Sequence, residues 1–314
     1  MTQTLEQLKR LTQSTRDLLS VVTTMKTIAA VNIRQYEQAV SSLLFYNQNV
    51  EQGLTALLRD HADIFIAGRK AAPGRLGAVV FGSDQGMCGP INDSIAHFAL
   101  EDMKEKTPDK AQTPAVLAVG ERVAWRLMDE GAGIEDIVHL PESVSGITGK
   151  VMEVLYFVEQ WGSHKGIAHI HLYYSRPQTG AGSEPTKVVL LPLDNSWLLK
   201  VKKRPWPTKS IPLYTEDWDT LFSRLVRQYL FVSIYRAFAE SLASENAARL
   251  RSMQNAQKNI EQQLINLTGT YNQRRQMAIT EELLDIVSGF KTLERKKQKA
   301  EAGRVQDLSP GFKA

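Results

Sequence analysis

Cysteine is nearly missing from this 314-residue chain: Cys88 stands alone, so no intrachain disulfide can form, and a reducing compartment is expected. Proline is missing from both flanks. Eleven of the twelve prolines lie between Pro73 and Pro212, and the other is Pro310. A proline inside a helix costs about 3 kcal/mol, so two long proline-free flanks leave room for two long helices around a Pro/Gly-punctuated centre. Long apolar runs are also absent: Ala78–Phe81 and Val188–Leu191 are strand-sized, far short of a bilayer span. The opening MTQTLEQLKRLTQSTRD has no apolar core, so no secretory leader is expected. No large excess of one charge exists either. A net charge of +4 is too mild to demand nucleic acid, though it tolerates an acidic partner.

What is present on the flanks is helical periodicity. From Leu8 to about Leu58 apolar residues recur three and four apart, with Leu11, Leu18 and Met25 in one heptad column and Val22, Ala29, Tyr36 and Leu43 in another. The pattern predicts a helix over 4–58, roughly 80 Å long at 1.5 Å per residue. The second flank repeats it at Leu242, Leu250, Met253, Ala256, Ile260, Leu264, Leu267 and Tyr271. That helix is predicted from about Asp217 to Leu293, roughly 110 Å, with Gly269 and Gly289 as its weak points. Each helix alone would expose a long apolar stripe, and pairing them as an antiparallel coiled coil covers both.

The centre alternates strands and helices. Strands are predicted at 76–83, 115–119, 167–175 and 187–191, helices at 91–104, 121–130 and 146–161, and loops at 177–185 and 200–212. This order predicts a mostly parallel sheet under helices. The fold class is therefore α/β: a long antiparallel coiled coil of the N- and C-terminal helices with a central Rossmann-like α/β domain. The expected domains are an N-terminal coiled-coil helix (1–69), the α/β domain (70–212), a C-terminal coiled-coil helix (213–293) and a flexible basic extension (294–314).

Candidate chemistry is sparse. Gly82-Ser-Asp-Gln-Gly-Met-Cys-Gly89 follows a strand and precedes a helix, where a phosphate could meet backbone amides. Its glycines at 82, 86 and 89 fit neither the P-loop nor the dinucleotide spacing, which favours a tight turn with a left-handed residue. His164, His169 and His171 lack a nearby cysteine or suitably spaced carboxylate, so they read as surface or half-buried imidazoles. Cys88 has no identifiable base and reads as a small buried hydrophobe. Lys200-Val-Lys-Lys-Arg-Pro-Trp206 mixes bases and an aromatic, as a patch meeting nucleic acid or an acidic surface does, although a solvated loop is the commoner meaning. No cofactor and no metal are expected.

Three strings carry a resemblance. Glu240-Ser-Leu-Ala-Ser-Glu-Asn-Ala-Ala-Arg-Leu-Arg-Ser-Met253 is followed by Tyr271-Asn-Gln-Arg-Arg-Gln-Met-Ala-Ile-Thr-Glu-Glu-Leu283 and Ile286-Val-Ser-Gly289. The other two are Ser83-Asp-Gln-Gly-Met-Cys-Gly89 with Asn92, and Thr24-Met-Lys-Thr-Ile-Ala-Ala30 with Arg34. In order and along nearly the whole chain, they resemble the γ subunit of F-type ATP synthases. The resemblance implies a rotor shaft: a coiled coil inside a ring of α and β subunits, and an α/β foot against the ε subunit and the membrane-embedded c-ring. It implies no catalytic site on this chain, no nucleic-acid partner, and contact with a membrane only through the complex. It places the assembly on the cytoplasmic face of a bacterial or archaeal plasma membrane.

Residue by residue, the resemblance assigns Arg275, Gln276 and Thr280 to hydrogen bonds with loops of the ring. It assigns Met25 and Arg249 to positions facing the β subunits, and Tyr214 to the approach to the c-ring. The chain departs from the family where Asp17-Leu-Leu-Ser-Val-Val-Thr-Thr-Met25 lacks two usual lysines, where Gln85 and Gln254 replace basic residues, and where Thr215 replaces a frequent Glu. These departures suggest a divergent γ from an alternative F-type ATPase. Two competing readings are a nucleotide-using α/β enzyme with a coiled-coil arm, and a coiled-coil scaffold without partners of this kind.

Overall fold

In the computed structural model the described residues are 4–68, 74–106, 113–178, 182–206, 209–210 and 214–306. Six helices and five strands are assigned among them. Helix α1 is Leu5–Gly68 and helix α6 is Trp218–Gln306, at 64 and 89 residues. Both outrun the sequence expectation, and α6 continues as helix past Leu293 into the segment expected to be flexible. Pro310 and the 69/70 and 212/213 domain boundaries lie wholly or partly outside the described residues. The chain divides into two compact units: Thr24–Asn255, and the first 23 residues together with those from Ala256 onward.

The Thr24–Asn255 unit is built on one sheet of β1 (Arg75–Phe81), β2 (Ala115–Val119), β3 (Ile134–Val138), β4 (Ile167–Gln178) and β5 (Gly182–Leu191). The strand order is β3-β2-β1-β4-β5, with β5 antiparallel to β4 and every other pairing parallel. Central β1 is buried from Leu76 to Phe81, as a strand covered on both faces must be. Helices α2 (Ile91–Lys106) and α3 (Glu121–Asp129) cover one face, where Ile95, Ala99, Val123 and Leu127 meet Ala78 and Val80. The other face packs Val79, Phe81, Leu117 and Leu172 against α4 (Ile147–His164) and against Ile234, Phe238 and Leu242 of α6. Phe81 meets Phe238 edge to face at 4.9 Å between ring centroids. A middle stretch of the last helix is thus part of the core of the domain.

A third cluster joins Leu54, Leu57 and Leu58 of α1 to Leu198 and Val201 of α5 (Asn195–Lys202) and to Phe222. Sequence reasoning missed α5 and β3. The edge strand β3 reads Ile-Glu-Asp-Ile-Val and shows only Val138 buried, so it offers no apolar run. The loop expected over 177–185 is largely strand, with β4 and β5 pairing as far as Gln178 and Gly182 and with 179–181 outside the described residues. In the stretch 200–212 the first residues close α5, while 207–208 and 211–212 lie outside the described set.

Within this unit α1 and α6 run antiparallel. Asn32 Nδ2 donates to Asn246 Oδ1 at 3.4 Å, Tyr46 Oη to Gln228 Oε1 at 2.8 Å, and Trp218 Nε1 to the Leu57 carbonyl at 3.1 Å. Ala29, Tyr36 and Val50 fill the seam on α1. The other unit contains the opposite helix ends. Thr4 and Gln7 form a reciprocal capping box that starts α1, with the Gln7 amide on Thr4 Oγ1 at 3.3 Å and the Thr4 amide on Gln7 Oε1 at 3.0 Å. Leu8, Thr12, Thr15 and Val22 are buried on α1, and Ile260 on α6. Thr12 and Thr15 donate their hydroxyls to the carbonyls of Leu8 and Leu11, both at 2.8 Å, and so bury no unsatisfied polar group.

Of the two heptad columns on α1, the structure buries the one through Val22, Ala29 and Tyr36. The column of Leu11, Leu18 and Met25 faces outward: Leu11 and Leu18 are exposed and Met25 is half-buried.

Candidate functional site

The glycine-rich turn after β1 is a clasp. The Ser83 amide donates to Asn92 Oδ1 at 2.9 Å, and Asn92 Nδ2 returns to Ser83 Oγ at 2.8 Å. The Asp84 carboxylate accepts from the amides of Glu121 and Leu140, both at 2.8 Å. Asp84 therefore ties the exit of β1 to the start of α3 and to the segment after β3, and gives α3 the N-terminal acceptor that Gly120 lacks. Gly89 adopts φ 65° and Gly120 φ 114°, and a Cβ on Gly120 would lie 2.9 Å from the Ser83 backbone. The left-handed turn expected from sequence is present, with non-glycine Met87 also at φ 63°. The Ser83 amide that could cradle a phosphate already serves Asn92.

The outer side of this turn is held by α6. Arg249 Nη2 donates to the carbonyls of Gln85 at 3.3 Å and Gly86 at 3.4 Å, and pairs with Glu245 at 2.7 Å. Glu245 Oε2 and Arg249 Nε are buried without a hydrogen-bond partner. Burial pushes the Glu245 carboxyl up to about 7, with Asp84 adding to the rise and Arg249 opposing it. Burial raises the Tyr36 phenol too, with Glu245 adding to the effect. Arg249, assigned from sequence to face a partner subunit, is here engaged inside the chain. Glu245 and Asp84 were missed by sequence reasoning, although both lie within the quoted strings.

Arg275, Gln276 and Thr280 come together on α6 and are all exposed. Thr280 donates to the Gln276 carbonyl at 2.8 Å. The last half-buried position on this helix is Ala278, and every later residue to Lys297 is exposed. The exposed apolar side chains here are Met277, just before Ala278, and Ile279, Leu283, Leu284, Ile286, Val287, Phe290 and Leu293 after it. At about 100° per residue they spread over roughly 200° of the helix circumference, twice the stripe a single partner helix covers. Arg275, Gln276 and Thr280 fall in the same arc, while Glu281, Glu282 and Asp285 lie opposite.

Met25, Arg249 and Tyr214 belong to the other unit, where Tyr214 is exposed just ahead of α6. Further along α1, Ile28 and Val31 extend the outward stripe of Leu11, Leu18 and Val21. Sequence reasoning missed Val21, Ile28 and Val31, and the signal was available, since Val21 and Ile28 are themselves seven apart.

A further titratable cluster is internal. Tyr173 donates to Asp102 at 2.7 Å, Lys187 pairs with Asp102 at 2.5 Å, and His171 Nδ1 lies 3.1 Å from Tyr173 Oη. Burial holds the His171 imidazole below its ordinary value, against the pull of Asp102. No trio of His, Cys, Asp or Glu suited to a metal occurs among the described residues. The side chain of His164 lies outside them. No described helix is long and apolar enough to cross a membrane.

The family described as ATP synthase matches residues 4–293 of this chain. Among curated relatives, the ATP synthase gamma chain of Phocaeicola vulgatus is 28% identical over 294 residues, covering 91% of this chain and 98% of the relative. That of Dechloromonas aromatica is 26% identical, covering 88% and 95%. Among solved structures, a rotor chain of the Euglena gracilis mitochondrial ATP synthase superposes with a TM-score of 0.60 at 16% identity, covering 88% of this chain and 98% of that one. A chain from the central stalk and c-ring of the Tetrahymena thermophila enzyme gives a TM-score of 0.53, covering 75% and 99%. Family match, full-length relatives and shared fold agree, and the chain belongs to the ATP synthase gamma-chain family.

Proposed function

We infer that this chain is the central rotor of an F-type ATP synthase, coupling rotation of a c-ring to ATP synthesis or hydrolysis at sites on the surrounding α and β subunits. The observation that carries the reading is α6. It continues unbroken from the core of the α/β unit to Gln306 and ends in an apolar arc too wide for one helix to cover. Such an arc is satisfied by a concave sleeve of several subunits. Catalysis belongs to the α and β partners, and this chain decides which of their sites opens.

Arg275 and Gln276 supply directional hydrogen bonds within the sleeve, where an Arg fork fixes the orientation of a carboxylate or carbonyl. Thr280 adds a third polar position on that arc. Met25 joins Leu11, Leu18, Val21 and Ile28 as the ring-facing stripe of α1. Tyr214, exposed at the start of α6, approaches the c-ring, and the ε subunit docks on the same α/β unit. Arg249 acts at the clasp, setting the position of the 83–89 turn relative to α6. The chain is part of a membrane-associated complex, which we place on the cytoplasmic face of a bacterial or archaeal plasma membrane.

The test is reconstitution. The chain alone should hydrolyse no ATP, and adding it to its own α and β subunits should convert uncoordinated turnover into cooperative turnover. Ring activity indifferent to its presence would overturn the reading.

A further inference from the structure

A cavity of about 440 Å³ opens inside the Thr24–Asn255 unit, where the start of α2, the β4–β5 pair and α6 meet. That volume is in the range of small-molecule sites. Its wall includes Pro90 and Ile91 at the entry to α2, Ser175 of β4, Ser183 of β5, and Arg251 and Ser252 of α6. Among the described residues no carboxylate lines it. The acids nearest in sequence are engaged elsewhere: Asp93 pairs with Arg126 at 2.8 Å, and Glu184 accepts from Gln178. Residues 179–181, between β4 and β5, read Thr-Gly-Ala and add no charge.

Three kinds of group at this wall have no partner among the described residues. Ser175 is only 3% exposed and its hydroxyl is unbonded; the bond from Ser244 goes to its carbonyl. The ladder sets Ser175 three pairs before Gln178–Gly182, about 10 Å from the end of β4, and on the same face as Ser183. The amides of Ile91, Asn92 and Asp93 precede the first helical bond of α2, which runs from the Ser94 amide to the Pro90 carbonyl. They find no other acceptor. Arg251, the one cation in the described wall, makes no ion pair.

Scattered hydroxyls alone are satisfied by water. A buried hydroxyl, three free amides and an unpaired guanidinium around one cavity suit an anion with several acceptor oxygens. The helix N-terminus favours its negative charge. The rest of the wall, with Ser183, Ser252 and Asn255, offers the hydroxyl and amide groups that hold a sugar or polyol.

We propose that this cavity binds a phosphate group, carried by a small sugar or polyol or present as free phosphate. The phosphate meets the α2 amides, Ser175 and Arg251, and the carrier meets Ser183, Ser252 and Asn255. Nothing in this site depends on the rotor reading.

The test titrates the full chain with inorganic phosphate, glucose 6-phosphate and glucose by calorimetry. Tighter binding of the ester than of phosphate identifies a sugar or polyol carrier, and equal binding a free anion. Ser175→Ala with Arg251→Gln should weaken binding of either by about 10-fold or more. Both changes spare the fold, because Ser244 bonds the Ser175 carbonyl and Arg251 is exposed. Lys258→Gln, elsewhere on α6, should bind as the unaltered chain does. If the pair melts early, Arg251→Gln alone is read with the same probes.

The proposal fails if neither phosphate probe binds, if glucose binds as tightly as its phosphate, or if the Ser175/Arg251 variant binds normally. It fails too if Lys258→Gln loses as much. Polyglutamate binding without binding of either phosphate probe would also overturn it and mark an acidic protein segment as the occupant. Reconstituted ATP turnover is read separately, so loss of this site and loss of the rotor reading remain distinguishable.

Discussion

Glu245 carries the largest electrostatic strain at the clasp. Its carboxyl is raised to about 7 against an ordinary value of 4.5, so the folded chain holds a proton there that the unfolded chain releases. This contribution to stability is fully present below pH 4.5 and is lost as pH rises through about 7. Thermal melts between these limits should show Glu245→Gln less sensitive to rising pH than the unaltered chain; identical slopes would contradict the assignment. Arg249→Ala leaves Glu245 buried without its cation and should cost about 3–5 kcal/mol, measured by denaturant unfolding. Arg275→Ala removes an exposed side chain and should change stability by less than about 0.5 kcal/mol. Its effect should appear as lost cooperativity in the reconstituted ring. The two arginines looked alike in sequence, because nothing in one string tells which carbonyls or carboxylates the fold brings to each.

For the elements, length was legible and facing was not. Proline placement and three-four spacing marked both long helices, since each reports a local backbone requirement. Which of two heptad columns on α1 is buried depends on the partner, and Tyr36 reaches the sheet core whereas Leu18 does not. The strands β1, β2 and β4 were readable from apolar runs, while β3 owes its existence to pairing with β2. Among the described side chains of α6, Gly269 and Gly289 add backbone freedom without a packing reason, because a Cβ at either meets nothing within 4 Å. Alanine at each should stabilise the helix by roughly 0.5–1 kcal/mol, seen as increased helical signal near the melting transition. A loss of stability at either position would contradict this reading of the glycine.

Across the whole molecule, burial is uneven. The Thr24–Asn255 unit contains three large apolar clusters, whereas the other unit has Leu8, Thr12, Thr15, Val22 and Ile260 as its buried side chains among the described residues. Opening free energy follows buried apolar contact, so amide exchange in the free chain should be faster over 262–297 than over 234–242. Assembly with α and β subunits should slow the first segment selectively. Equal protection of both segments in the free chain would contradict a sleeve-dependent tail. The candidate site was legible in part for the same reason: Arg275, Gln276 and Thr280 are proposed to serve partners, and a chain read alone shows only that they are exposed.

The two edges of the sheet bear on how the chain survives before assembly. β3 presents Glu135 and Asp136 at one edge, and β5 presents Glu184, Pro185 and Lys187 at the other. Charges and a proline on edge strands discourage a second copy from adding to the ladder. Self-association of an unassembled subunit is thereby steered away from sheet polymerisation and towards the apolar end of α6. On the proposed rotor reading that surface is covered once the ring closes around it, so stoichiometric supply of partners would itself be the safeguard against precipitation.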